Sequence, residues 1–127
     1  MTTVLDSWAV LRYLEDEGDA ASEVAELLTA ERPLISWINL GEVFYVIRRS
    51  DGEAAASSTV RDLRDVVDAE LPDEQRVLQA GRIKSEYPLA YADAFAAATA
   101  QAHDAEPWTG DPELLVENAS WTWRDLR

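Results

Sequence analysis

The sequence predicts an α/β fold in which a short, mostly parallel sheet is covered by helices on both faces. Three observations carry that reading. Brief β-prone runs alternate along the chain with longer stretches whose apolar residues recur at helical spacing, the order expected of a parallel sheet with helical crossovers. The chain has 127 residues, 47% of them hydrophobic, which is enough for one ordinary core and points to a single domain over residues 1–127. No internal repeat and no low-complexity linker divides it.

The elements follow in order. "TVL" at residues 3 to 5 is a strand that ends on Asp6, and "SWAVLRYLEDE" then carries a helical pattern. "AASEVAELLTAE" places Val24, Leu27 and Leu28 on one helix face and is stopped by Pro33. "LIS" at 34 to 36 is a second buried strand, and "NLGEVFYVIRRS" is helical through Leu40, Val43, Phe44 and Ile47, with Asn39 placed to cap it. "SDG" at 50 to 52 reads as a turn, "EAAASSTVRDLRDV" as a helix and "VVDAEL" as a strand. "DEQRVLQAGRIKSEY" is helical until Pro88, and "LAYADAFAAATAQAHD" is a further helix. "AEPWTGD" is a short strand closing on Asp111, and the Trp/Thr alternation of "ASWTW" predicts a last one.

Composition narrows the function classes. With 25 acids against 11 bases the net charge is −14, which opposes non-specific attraction to nucleic acid or to an anionic membrane. Lys84 is the only lysine, and so acidic a surface suits a high-salt habitat, where self-repulsion is screened. The absence of cysteine excludes disulfides, thiolate zinc and Cys/His catalysis, and fits a reducing cytoplasm. The N-terminal residues lack a basic segment followed by an apolar one, and no apolar run reaches about 18 residues; a cytoplasmic protein with no membrane partner is expected. The single histidine, His103, sits near a helix C-terminus, where the dipole explains it without catalysis. The five tryptophans read as core and dimer-surface residues before base-stacking ones, the run "EDEGD" as a solvated turn, and the isolated glycines form no phosphate loop.

The acids remain. In open α/β sheets the ligand site lies beyond the carboxyl ends of the strands, so residues that follow strands converge there. Asp6 and Asp111 follow strands, Glu42 is placed in the first turn of the helix after "LIS", and Asp93 begins the helix "YADAFAAATAQA". Asp93 has Ala, Phe and Thr for neighbours, and burying its charge there costs several kcal/mol unless it is paired. It is either a first-turn acid favoured by the helix dipole or a ligand. Four carboxylates in one cleft repel each other and call for a cation. Oxygen-only ligands select Mg²⁺ or Mn²⁺, which polarise a phosphoryl oxygen and acidify a bound water.

The stretches "TVLDSWAVLRYL", "NLGEVFY", "YADAFAAATA" and "TGDPEL" resemble the acidic blocks of PIN domains, and more narrowly those of VapC-like toxins of type II toxin–antitoxin systems. The resemblance covers nearly the whole chain. It implies a three-layer α/β/α sandwich and a Mg²⁺- or Mn²⁺-dependent endoribonuclease toxin, usually a homodimer, inhibited by a cognate antitoxin. On this resemblance Asp6, Asp93 and Asp111 are metal ligands, and Glu42 binds the metal directly or through water. Ser7 and Thr109 orient waters or carboxylates beside them, although either hydroxyl also suits the strand-end backbone. Glu113 reads as a surface acid in the first turn of a last short helix. Arg12, Arg48, Arg49 and Lys84 are the candidates for RNA phosphates. The chain departs from many RNA-cleaving proteins in its acidity. Three other readings stand beside this one: a PIN-like module that only binds partners, a phosphoacceptor receiver domain and a haloacid-dehalogenase-like phosphatase. A receiver has adjacent acids after its first strand and a lysine after its last, whereas here Asp6 stands alone and Lys84 precedes the Asp93 helix; the phosphatase would need an acid where Trp8 stands.

Overall fold

The computed structural model describes residues 2–127. Five short strands, β1 (Thr3–Leu5), β2 (Leu34–Ser36), β3 (Asp68–Glu70), β4 (Glu106–Thr109) and β5 (Arg124–Asp125), form one sheet in the order β3-β2-β1-β4-β5, and every pairing is parallel. Six helices cover it: α1 (Ser7–Glu15), α2 (Gly18–Ala30), α3 (Trp37–Asp51), α4 (Glu53–Arg64), α5 (Glu74–Glu86) and α6 (Tyr91–Ala102).

The strand period of two explains the three layers. Leu5 and Ile35 join a core built with Val10, Val24, Val43 and Leu63 from α1 to α4, whereas their neighbours Val4 and Leu34 pack with Ala100 of α6 on the other face. Both faces of the central strands are therefore apolar, so these runs show no alternation in sequence. Helix α6 is buried almost from end to end, and its alanines at 94, 96, 97, 98 and 100 let it lie close against α5 and the sheet.

Several boundaries differ from the sequence expectation. Ser36, not Asn39, caps α3, accepting from the Ile38 N–H at 3.2 Å; the helix starts directly off the strand, and Asn39 is a wholly buried residue inside it. The turn expected at 50–52 is Gly52 alone, whose φ of +92° ends α3 and starts α4. No strand forms at "ASWTW": the indoles of Trp121 and Trp123 donate to the carbonyls of Leu114 and Val116, both at 3.0 Å, and the last strand is Arg124–Asp125. The alternation there reflects indoles docked on an irregular segment rather than a pleat. Glu113 lies in a turn and not in a helix. No described helix is long and apolar enough to cross a membrane.

Candidate metal centre

Each acid is placed by the way its strand ends. Asp6 follows β1 without a linking residue and caps α1, its Oδ1 accepting from the Ala9 N–H at 2.9 Å. Its other oxygen accepts from the Thr109 hydroxyl at the end of β4. The same hydroxyl oxygen accepts from the Asp111 N–H at 2.9 Å, so Thr109 ties the Asp6 side chain to the Asp111 backbone. From α3, Glu42 accepts a hydrogen bond from Ser7. Because α3 begins at Trp37, Glu42 stands in its second turn rather than its first, and it still reaches the cleft.

Asp93 occupies the first turn of α6, almost wholly buried. Carboxylate oxygens of Asp93, Asp111 and Glu113 lie within 4.8 Å of one another. Glu113 is the residue that sequence reading undervalued. Ala90, the residue before α6, has no side chain to cap that helix, and Glu113 does so from the turn, accepting from the Ala90 N–H at 2.6 Å. The signal available in sequence was its place two residues after Asp111 in "TGDPEL". Its own N–H donates to Asp111 Oδ1 at 3.0 Å.

Burial governs the charge state. It pushes the Asp6 carboxyl up to about 7 against the hydrogen bonds from Thr109 and Ala9, and the negative charges of Asp111 and Glu42 push the same way. Burial likewise raises Asp93, followed by its hydrogen bond to Glu113 and repulsion from Asp111 and Asp6. Glu113 is held below its ordinary value by that same bond to Asp93, so a proton shared by this pair resides on Asp93.

The donor set suits a hard divalent cation. Every candidate ligand is a carboxylate oxygen, and among the described residues no arginine, lysine or histidine forms an ion pair with Asp6, Glu42, Asp93, Asp111 or Glu113. Asn39 is a buried polar neighbour of Glu42 and α6. It lies one turn before Glu42 on the same side of α3, its Nδ2 donates to the Ala92 carbonyl at 3.1 Å, and its buried Oδ1 has no protein partner.

The four cations expected for RNA have the following neighbours. Arg12 pairs with Glu15 at 2.9 Å and lies 4.8 Å from the centre of the Trp8 ring. Arg48 pairs with Glu53 at 2.9 Å and Arg49 lies over Tyr45, both in the last turn of α3, away from the strand ends where that helix begins. Lys84 donates to the Leu89 carbonyl at 2.8 Å. His103, at the C-terminus of α6, is 2.8 Å from Glu70, which also accepts twice from Arg76.

A five-stranded parallel sheet whose carboxyl edge gathers acids from the end of β1, α3, α6 and the turn after β4 defines a class of α/β proteins with an acidic cleft at the strand ends. The sequence model of the PIN domain matches residues 3–116, and the chain belongs to the PIN domain family. Solved structures share the fold over the full chain. VapBC from Salmonella typhimurium, bound to DNA, aligns with a TM-score of 0.81 at 20% identity, covering 100% of this chain and 99% of that one. VapBC2 from Rickettsia felis, bound to a promoter DNA fragment, gives 0.78 at 15%, covering 98% of each chain. The sarcin–ricin loop cleaving toxin VapC20 of Mycobacterium tuberculosis gives 0.71 at 21%, covering 90% and 93%. No curated protein matches the chain significantly.

Proposed function

We propose that this PIN domain is a Mg²⁺- or Mn²⁺-dependent endoribonuclease, a VapC-like toxin held inactive by a cognate antitoxin, acting as a homodimer in a reducing cytoplasm. The observation that carries the reading is the convergence of Asp6, Glu42, Asp93, Asp111 and Glu113 on one sheet edge, where among the described residues no basic side chain forms an ion pair with any of them. The family supports it, as do the neighbours in structure, which include VapBC toxin–antitoxin complexes and a toxin that cleaves the sarcin–ricin loop. The chain's lack of cysteine supports the compartment.

Asp6, Asp93 and Asp111 hold the metal, with Glu42 as a direct or water-mediated ligand and Glu113 beside them. When bound, the ion polarises a phosphoryl oxygen and lowers the pKa of a coordinated water, the chemistry of phosphodiester hydrolysis to a 5′-phosphate and a 3′-hydroxyl. Ser7 fixes the Glu42 carboxylate, and Thr109 fixes Asp6 relative to Asp111. A metal bound there would favour the ionised form of Asp93, so binding would release protons.

Calorimetry with Mn²⁺ on the wild type and on Asp93→Asn, followed by cleavage assays on total RNA, tests the reading. Saturable binding and cleavage by the wild type, both lost in the variant, are expected. Wild-type cleavage by Asp93→Asn sinks the assignment, and normal growth of cells expressing the chain without an antitoxin sinks the toxin reading.

A further inference from the structure

We propose that Trp8 is a positioning residue for this metal centre: its indole, lodged against Gly110, fixes the turn that carries Asp111 relative to the helix start that carries Asp6. The inference rests on the metal-centre reading above and adds a residue that offers no ligand atom of its own.

The contact is closer than any side chain at position 110 permits. A Cβ built on Gly110 lies 2.3 Å from Cη2 and Cζ2 of Trp8 and 2.6 Å from Cε2, whereas carbon atoms rest at about 3.5–4.0 Å. Gly110 does not have the positive φ that Gly18 and Gly52 show, so the requirement for glycine here is one of space and not of backbone conformation. The indole is itself held. It packs against the core shared by α1 to α4, and the Arg12 guanidinium, tied to Glu15, sits 4.8 Å from its centre.

Geometry makes this packing consequential. Trp8 is two residues from Asp6, and Gly110 separates Thr109 from Asp111. A methyl at 110 requires a displacement of about 1 Å between ring and turn, while metal sites tolerate about 0.2 Å in ligand distance. The hydrogen bonds through Thr109 set the direction of Asp6 and Asp111; the indole sets how closely the turn approaches.

The test is a double-mutant cycle on the full chain, read by Mn²⁺ calorimetry with melting curves in chelator to confirm folding: wild type, Gly110→Ala, Trp8→Ala and the double variant. Gly110→Ala alone is expected to weaken Mn²⁺ binding by about 10- to 100-fold, the range for residues that orient ligands. In the double variant, with the indole gone, the methyl has room, and binding should equal that of Trp8→Ala. Should Trp8→Ala fail to fold, Trp8→Leu replaces it. Gly110→Ala binding as tightly as wild type, or losses that simply add, overturns the inference while leaving the metal centre intact. A wild type that binds no Mn²⁺ overturns the metal-centre reading and this inference with it.

Discussion

Replacing Asp6 by Asn should remove a slope of stability against pH that burial of this carboxyl creates. The group is 1% exposed and its pKa stands at about 7, against an ordinary value of 3.8. Between those values the folded protein keeps a proton that the unfolded chain has released, so stability falls as pH rises across that window. The contribution is whole below about pH 4 and gone above about 7. At about 1.4 kcal/mol per pH unit, a window of about three units is worth about 4 kcal/mol. Asn keeps the oxygen that accepts from Ala9 but obliges the Thr109 hydroxyl to turn, a constant cost of about 1 kcal/mol at every pH. Urea unfolding followed by tryptophan fluorescence, in chelator from pH 4.5 to 8, therefore gives two curves that diverge by about 4 kcal/mol at the upper end, with the variant the flatter. Saturating Mn²⁺ should flatten the wild-type curve and leave the variant unmoved. Parallel curves in chelator would refute the argument from burial.

Glu70 shows the opposite sign. Arg76, and then His103, hold its carboxyl down at about 2, so this contribution is present above about 4.5 and is lost as pH falls through about 2. Glu70→Gln should cost on the order of 1 kcal/mol at pH 7, after allowance for solvent screening, and make acid unfolding shallower, as read by circular dichroism between pH 6 and 2. Glu113→Ala should loosen the start of α6 by about 1 kcal/mol in urea unfolding, because the Ala90 N–H loses its cap, and should weaken Mn²⁺ binding in the same preparation. Asn39→Ala removes a side-chain bond to the Ala92 carbonyl, which keeps its place in the α6 ladder, and a loss of about 1 kcal/mol is expected from the same measurement.

How legible these features were in sequence follows from the range of the interactions behind them. β1 and β2 are marked by an apolar pair with one hydroxyl residue, buried throughout, so their limits could be read locally, and the turn after β4 announced itself in "TGD". Ser36 and Asn39 are both good caps three residues apart, and propensity alone does not choose between them. The choice moved the helix start and with it Glu42 from first turn to second. Glu113 needed the knowledge that Ala90 lies beside it, 23 residues away in sequence, and Trp8 is separated from Gly110 by most of the chain. The surface partners of the arginines were equally out of reach, because nothing in sequence places Glu53 beside Arg48 or Trp8 beneath Arg12.

The choice first posed by Asp93, between a first-turn acid and a ligand, can be weighed on Asp6, which is buried with it and also stands at a helix N-terminus. A helix dipole stabilises such an acid by about 0.3–1 kcal/mol, and by about 2 kcal/mol in favourable buried geometry. The Asp6 carboxyl already has a dipole, a backbone N–H and the Thr109 hydroxyl, and burial still raises it by about three units, or about 4 kcal/mol against ionisation. Asp93 has less help, since its partners Glu113 and Asp111 are themselves acids and both raise it further. Capping and dipole therefore fall short of what either carboxylate needs at neutral pH. The proposed divalent cation would meet both at once, because it would act on Asp6, Asp93 and Asp111 together at short range in a site where water does little screening. On that comparison of magnitudes the helix starts place these acids, and the proposed metal would be what lets them ionise.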